Sequence, residues 1–418
     1  MNSQLKKILN HLKVINLKDN LNNLTSCDVL FFCNDANRSL QLNHCAYSPL
    51  LDSIREQFEQ RGYKCISIAN PFASLVVEKA YGHPLAMNKS FFFAYVKGKL
   101  ITKLSPIKHD INPLLNLYEN IFEQAKPKLI ITINCNDSLC MAARKKAIYH
   151  VELLHGIGYT PMPWGWNKKD KFNLPQGIFS LDEVSTKTFR ELEKQGVNVI
   201  QIPHPFLSRF MSNKIKSIPE EWNLRKREKK QKKEILVSLQ WAFSGDHGSH
   251  HYLANILPNG LFFDELAEVI HLTKNEVLWH FRFHPVQYRN LKKYKSLFDF
   301  INEFIRQNIN CEWEEATYLP LPSILAQCDG HITMHSMSAY EAAYMGVNTL
   351  ALSPTIRPGG RHENMFNDLV DKGYMLKQAP KTEQILHWVK EVKRSEPLLN
   401  NLNDEYWFER LLETLPLD

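Results

Sequence analysis

Residues Asp329 to Leu352, DGHITMHSMSAYEAAYMGVNTLAL, constrain this chain more than any other stretch. Ile332 to Met334 close a β-rich run, and His335, Ser336, Met337 and Ser338 form a polar turn. Ala339 to Met345 has helix-forming composition, Gly346 suits a C-terminal cap, and Asn348 to Leu352 reads as the next strand. A strand-to-helix turn of this kind in an α/β sheet sets free backbone N–H groups and two hydroxyls at a helix N-terminus. That is a ready anion site, above all for phosphate. Glu341 then falls in the first helical turn, able to accept bonds from the two hydroxyls of a ribose. The competing reading is purely structural: Ser336 or Ser338 caps the helix, and Glu341 complements its dipole.

Strand and helix signals alternate along the rest of the chain. In the first half, strands are expected at Asp28–Cys33, Lys64–Ala69, Ser90–Val96, Lys128–Ile133, Ala147–Leu154, Gly177–Ser180 and Val197–Ile202. Helices are expected at Pro49–Gln60, Pro113–Gln124, Leu139–Lys146 with Ser138 as N-cap, and Ser185–Gln195. Periodicity then fails and charge dominates up to Glu234. A second series follows, with strands at Ile235–Leu239, Glu276–Phe283 and Cys311–Trp313 and helices at Phe262–His271, Tyr288–Gln307 and Leu321–Gln327. Such alternation argues for parallel sheets covered by helices on both faces. For 418 residues, two domains of roughly 200 residues each are the prior. The expected division is 1–205, a basic linker 206–234, a second domain 235–380 and C-terminal helices 381–418, which could pack back on the first domain.

Composition narrows the function classes. Hydrophobic content of 44% and charged content of 23% are those of an ordinary globular protein, and no apolar run approaches the ~18 residues of a membrane span. The N-terminal segment is basic and amphipathic but has no apolar signal core, so a cytoplasmic location is expected. The eight cysteines, at 27, 33, 45, 65, 135, 140, 311 and 328, include no Cys-x-x-Cys pair; neither a zinc site nor a disulfide framework is expected. The densest charge, Arg225 to Lys233, reads as a solvated linker or as a contact for anionic lipid, placing the protein peripherally on the inner membrane. No aromatic-and-basic interleaving accompanies it, so nucleic acid is not an expected partner.

In open α/β sheets, ligands bind at the carboxyl ends of the strands. Three polar turns stand at such ends: His155-Gly156-Ile157-Gly158, His284-Pro285 and the serine turn. His284 could hydrogen-bond a donor phosphate, with Pro285 fixing the turn and Arg282 on the same strand face. The dipeptide alone is weak, since His204-Pro205 repeats it. His155, near the free imidazole pKa of about 6.5, suits a general base for an acceptor hydroxyl. Asp137 and Asp35 are fallback bases, with Asp182 and Glu183 behind them. Asp246 to His251, DHGSHH, offers metal ligands without a helical His-x-x-x-His spacing; a donor-side loop, in which Gly245 and Gly248 let backbone amides approach phosphate, is the preferred reading. Arg357 and Arg361, with two glycines between them, form either a phosphate or carboxylate clamp or a solvated loop.

HGIG in the first half, then HP, then HSMSAYEAAYMG with a following strand, resembles bacterial GT-B glycosyltransferases of capsule and lipopolysaccharide synthesis. Sialyl-, polysialyl- and Kdo-transferase-like enzymes are similar in the HP and serine-turn pair. The polyglycerol-phosphate polymerases are similar in the HG pair. The resemblance implies two Rossmann-like α/β domains facing each other across a cleft. It implies His155 as base, His284, Ser336 and Ser338 as phosphate binders, and Glu341 as the ribose contact. It also implies a nucleotide-sugar donor, with CMP-linked donors favoured, a glycan or lipid-linked glycan acceptor, and no cofactor or metal, in keeping with the absence of a DxD sequence. Two departures stand: the acidic base motif of the sialyltransferase-like enzymes is missing from the first half, and Met337 separates serines that are adjacent in that family. A sugar-nucleotide epimerase of the same architecture and a non-catalytic nucleotide- or glycan-binding protein are the alternatives.

Overall fold

The computed structural model describes residues 19–34, 37–69, 79–104, 112–211, 218–222, 232–244, 251–398 and 406–417. The chain divides into two compact units, Met1–Ser208 with Asp404–Asp418, and Arg209–Asn403. Most of the basic run, together with Asp35, Gly245 and the 246–250 stretch of the histidine-rich loop, lies outside the described residues.

The strands of the first unit are β1 (Val29–Cys33), a small antiparallel pair β2 (Leu40–Leu42) and β3 (Cys45–Tyr47), then β4 (Cys65–Ala69), β5 (Leu129–Thr132), β6 (Tyr149–Leu153), β7 (Gly177–Ser180) and β8 (Asn198–Gln201). Six of them run parallel in the order β4-β1-β5-β6-β7-β8. Every residue of β1, β5 and β7 is buried, as expected for strands covered on both faces. The covering helices include α1 (Leu51–Gln60), α2 (Asn88–Leu104), α3 (Pro113–Ala125), α4 (Asp137–Lys145) and α5 (Glu183–Phe189). The run 90–96, expected as a strand, is part of α2. Its aromatic composition favours strand locally, but Phe91 packs at 5.5 Å on Tyr118 of α3, and tertiary packing overrides the local preference. Asn136, not Ser138, caps α4, its Oδ1 accepting the Leu139 N–H at 3.0 Å.

The second unit is a six-stranded parallel sheet made of β9 (Lys233–Ser238), β10 (Val277–Arg282), β11 (Cys311–Glu312), β12 (Gly330–Thr333), β13 (Asn348–Ala351) and β14 (Met375–Lys377). Its order is β11-β10-β9-β12-β13-β14. The chain enters at the centre, steps outward through β10 to β11, then crosses back to β12 beside β9. The pair β9/β12 is therefore the topological switch point, where such sheets open a crevice at their carboxyl ends. Helices α6 (Asp264–Leu272), α7 (Pro285–Tyr288), α8 (Lys295–Gln307), α9 (Glu314–Tyr318), α10 (Leu321–Leu325), α11 (Ser338–Tyr344), α12 (Asn367–Asp371) and α13 (Thr382–Glu391) complete the unit. The long helix expected from Tyr288 is interrupted: Asn290 turns back to the Val286 carbonyl at 2.7 Å and Tyr294 is buried, so α8 starts only at Lys295. Gly346 ends α11 at φ +71°, and a Cβ there would stand 2.2 Å from the Ser395 carbonyl oxygen, so only glycine fits.

The tail is divided between the units. α13 packs on α6 in the second, whereas α14 (Trp407–Glu413) belongs to the first, with Phe408 edge-on to Phe58 at 4.9 Å and Glu409 paired with Arg61. Among the described residues, no helix is long and apolar enough to cross a membrane.

Candidate functional site

In the second unit, the polar residues that sequence singled out gather at the carboxyl ends of β9, β10, β12 and β13. β10 and β12 flank β9, so the residues leaving them start roughly 10 Å apart, twice the strand spacing. His284 leaves β10 as the N-cap of α7. Its Nδ1 accepts the Val286 N–H at 3.2 Å, and Gln287 Oε1 accepts the His284 N–H at 3.0 Å, which forms a reciprocal capping box. Pro285 occupies the first helical position, where its missing N–H costs nothing. Burial, helped by Arg282 and Arg289, pushes the His284 imidazole down to about 4, so the ring is neutral at physiological pH. With Nδ1 used as an acceptor, the proton sits on Nε2. Nε2–H is thus a neutral donor of fixed tautomer, and the ring lies 5.8 Å from that of Trp241, which follows β9.

The serine turn leaves β12. His335 N–H donates to Gln240 Oε1 at 2.6 Å, tying the ends of β9 and β12 together across the switch point, and His335 Nδ1 meets Ser353 Oγ at 3.1 Å. The two serines differ. Ser336 Oγ accepts the Ser338 N–H at 3.3 Å and stays half-buried at the turn. Ser338 is buried, its Oγ turned to His331 Nε2 at 3.3 Å. His331 in turn bonds Ser238 Oγ at 2.8 Å and Thr349 Oγ1 at 3.0 Å, and full burial holds it neutral, at about 3. Of the pair, Ser336 faces the surface and Ser338 belongs to an interior network that stiffens the turn.

One nitrogen of Arg282, Nη1, is committed to backbone carbonyls. Its guanidinium donates to the carbonyls of Ala316 and, at 2.7 Å, Leu319, fixing the link between α9 and α10. Its charge still acts on Glu341, whose carboxyl is raised to about 7 by burial, with Arg282 pulling the other way. Arg357 lies half-buried beyond β13, and its Nε is buried with no hydrogen-bond partner. Arg361 is exposed, its guanidinium 4.5 Å from the Tyr252 ring centre, and Tyr252 Oη bonds His362 Nε2 at 3.1 Å. Gln240, Trp241, Tyr252 and His362 were not singled out from sequence. Position immediately after β9, the central strand, was the available signal for the first two.

In the first unit, His155 follows β6 and is exposed at its edge, its ring 5.6 Å from Trp164 and 6.1 Å from Tyr159. That partial desolvation lowers its pKa. Among the described residues it has no hydrogen-bond partner. Asp182 is the buried N-cap of α5 and accepts the Gly158 N–H at 3.1 Å, while Ser185 Oγ accepts the Tyr159 N–H at 3.1 Å. Both hold the HGIG loop in shape. Asp137, in the first turn of α4, is exposed and paired with Lys169 at 2.6 Å, not with His155. Glu152, one residue before the end of β6, was not anticipated: it is buried and raised to about 7 by desolvation.

No family model matches the sequence, and no curated protein matches it. Solved structures do. The wall teichoic acid polymerase TagF superposes with a TM-score of 0.52 at 13% identity, covering 97% of this chain and 91% of that one. The UDP-GlcNAc 2-epimerase of Methanocaldococcus jannaschii, in complex with UDP-GlcNAc and UDP, gives 0.51 at 14%, covering 92% and 99%. A putative UDP-N-acetylglucosamine 2-epimerase from Listeria monocytogenes gives 0.50 at 10%, covering 93% and 95%. At such identities the likeness is one of fold: an α/β chain of two Rossmann-like domains of the GT-B type.

Proposed function

We propose that this chain is a glycosyltransferase that binds a nucleotide-sugar in its second unit and moves the sugar to a growing bacterial surface glycan. The observation that carries the reading is His284, a neutral imidazole at the carboxyl end of β10 whose capping box uses Nδ1 and leaves Nε2–H as the donor. Such a donor strengthens as negative charge builds on a departing phosphate, and it needs no reorganisation to do so. Ser336 and the amides of its turn add donors for the same oxygens, Arg357 offers a guanidinium with an unused Nε–H, and Glu341 takes the ribose hydroxyls. In the transfer step the acceptor oxygen bonds the anomeric carbon as the bond from that carbon to the donor phosphate breaks. The acceptor proton goes to His155, and the electron pair leaves with the nucleotide. No metal is assigned to this step. We favour a CMP-linked donor on the serine-turn resemblance; UDP-linked donors compete, since the Methanocaldococcus jannaschii epimerase of similar fold is held with UDP-GlcNAc and UDP. A lipid-linked acceptor would bring the chain to the inner membrane. α2 suits that surface, with Phe93 and Leu100 more than half exposed beside Lys89, Lys97 and Lys99 and no acidic residue.

The test is a thermal-shift screen against CMP, CDP, UDP, GDP and ADP. A ligand of the native state raises stability by RT ln(1 + [L]/Kd). A shift with one nucleotide that disappears in Ser336→Ala and in His284→Asn supports the donor site and names its base; no shift with any of the five refutes it. Epimerisation is the second reading, favoured by Glu341, a carboxyl near neutrality suited to moving a proton. Interconversion of a nucleotide-sugar without acceptor would establish it over transfer.

A further inference from the structure

A second group of chemistry-bearing side chains lies wholly inside the first unit and takes no part in the proposed transfer. β5 ends in a turn carrying Cys135, α4 carries Cys140, and β6 carries His150 and Glu152. In sequence the four are spread over residues 135 to 152, and none of the usual ligand spacings links them. The β5–α4–β6 crossover folds them together. Ligand atoms of Cys135, His150 and Glu152 all lie within 4.8 Å of one another. Cys140 lies outside that set of three, but its sulfur interacts with Cys135 and His150. Cys140, His150 and Glu152 are buried, and Cys135 is half-buried.

The hydrogen bonds around this group point the same way. Thr132 Oγ1 donates to Glu152 Oε2 at 2.6 Å and stands 2.8 Å from His150 Nε2, so the imidazole puts its proton on Nε2 and donates it to the threonine. Nδ1 is then left as a lone pair, buried and with no hydrogen-bond partner within ordinary distance, the Cys140 thiol being the group that faces it. An unsatisfied buried acceptor costs on the order of 1–3 kcal/mol unless something electrophilic meets it. The carboxylate is likewise met only by neutral donors: Thr132, the Asn134 N–H at 2.6 Å and the Cys135 N–H at 3.1 Å. Among the described residues no Lys or Arg hydrogen-bonds to any of the four side chains. Two sulfurs, an imidazole lone pair and a carboxylate form an electron-rich cage; the charge of Lys169, paired with Asp137, acts on Cys140 without hydrogen-bonding to it. The Glu152–Thr132–His150 relay orients the ring as second-shell partners orient ligating histidines.

We infer that Cys135, Cys140, His150 and Glu152 bind a zinc-class divalent cation. Two thiolates and an imidazole select a soft, tetrahedral ion over magnesium or calcium. Bond lengths of about 2.0–2.3 Å bring such ligands to roughly 3.5 Å from one another, so Cys135, His150 and Glu152 close by about 1 Å on binding, with Cys140 drawn in as the fourth ligand. The ion ties the turn after β5 to β6 three residues before His155, and it is structural, separate from the transfer step. On this inference the crossover, not a local knuckle of closely spaced cysteines, assembles the site.

The experiment uses untagged full-length protein, purified reduced and without chelator, then dialysed against Zn²⁺ and assayed for metal. About one zinc per chain is expected, and substitution by Co²⁺ should give intense thiolate-to-metal charge-transfer absorption. Cys135→Ser and Cys140→Ser should each lower that absorption by about half and weaken zinc binding by at least the roughly 10- to 100-fold that losing an outer-shell partner costs. Cys311→Ser, in the other unit, should change neither. Should the variants fail to fold, thiol alkylation of the wild type decides: Zn²⁺ should protect Cys135 and Cys140 and a chelator should release them. Zinc below about a tenth of an equivalent in folded protein, unaltered alkylation, or a Cys135–Cys140 disulfide in freshly purified protein overturns the inference. Nucleotide binding is read in a different unit, so either result can fail without the other.

Discussion

His284 does two things that a suitable substitution separates. Its Nδ1 caps α7, and its Nε2–H is free to meet a ligand. His284→Ala removes both; losing the cap alone costs about 1 kcal/mol of stability. Asparagine is a good N-cap whose oxygen replaces Nδ1, but its side chain ends short of the Nε2 position. His284→Asn should therefore unfold in urea within about 0.5 kcal/mol of wild type. A hydrogen bond to a charged acceptor is worth about 1.5–3 kcal/mol, so both variants should bind the nucleotide-sugar about 10- to 150-fold more weakly. The pH dependence tests the charge state. With its pKa at about 4, His284 is protonated in only about one molecule in a hundred at pH 6. Calorimetric titration with a nucleotide-sugar, whose phosphodiester does not titrate in this range, should give an affinity flat from about pH 6 to 8. Wild-type affinity in His284→Asn, or a fall in wild-type affinity with rising pH that the variant abolishes, would refute the neutral-donor argument.

Further outcomes follow from other residues. Gly346→Ala should destabilise the fold by about 2–4 kcal/mol in urea melts, because left-handed φ adds strain to a clash with the Ser395 backbone; a loss below about 1 kcal/mol would mean the backbone yields. The Glu341 carboxyl is raised from its ordinary value to about 7, so the stability it contributes is present below pH 4.5 and is lost as pH rises through 7. Glu341→Gln should thus gain about 1–3 kcal/mol near pH 8 and nothing near pH 4, and equal effects at both would contradict the assignment. His155→Ala should lower turnover by about 100-fold or more with donor affinity unchanged, as loss of a general base does; the reverse pattern would move the base elsewhere.

Much of the architecture was legible in the chain itself. Fully buried parallel strands must be near-continuous apolar runs, so DVLFFC, KLIITI and ILVSL announced β1, β5 and β9, and the strand–turn–helix–glycine pattern from 329 to 352 became β12, α11 and β13. The likeness to TagF and the epimerases has the same physical basis, since alternating strands and helices close into two Rossmann-like sheets at very low identity. Side-chain direction was not legible. Ser336 and Ser338 look equivalent in sequence, yet helical geometry turns one outward and buries the other against His331. Arg282 reads as a phosphate ligand, and only the structure shows its Nη1 turned to the Ala316 and Leu319 carbonyls. FFFAYV reads as strand until α3 supplies a partner for Phe91. The cysteine–histidine–glutamate cage is the furthest from sequence, because its members meet only through a β–α–β crossover. Periodicity records which residues must leave water, and that determines the elements and the sheets. Which polar atoms then face one another depends on how the elements pack, and only the tertiary structure decides it.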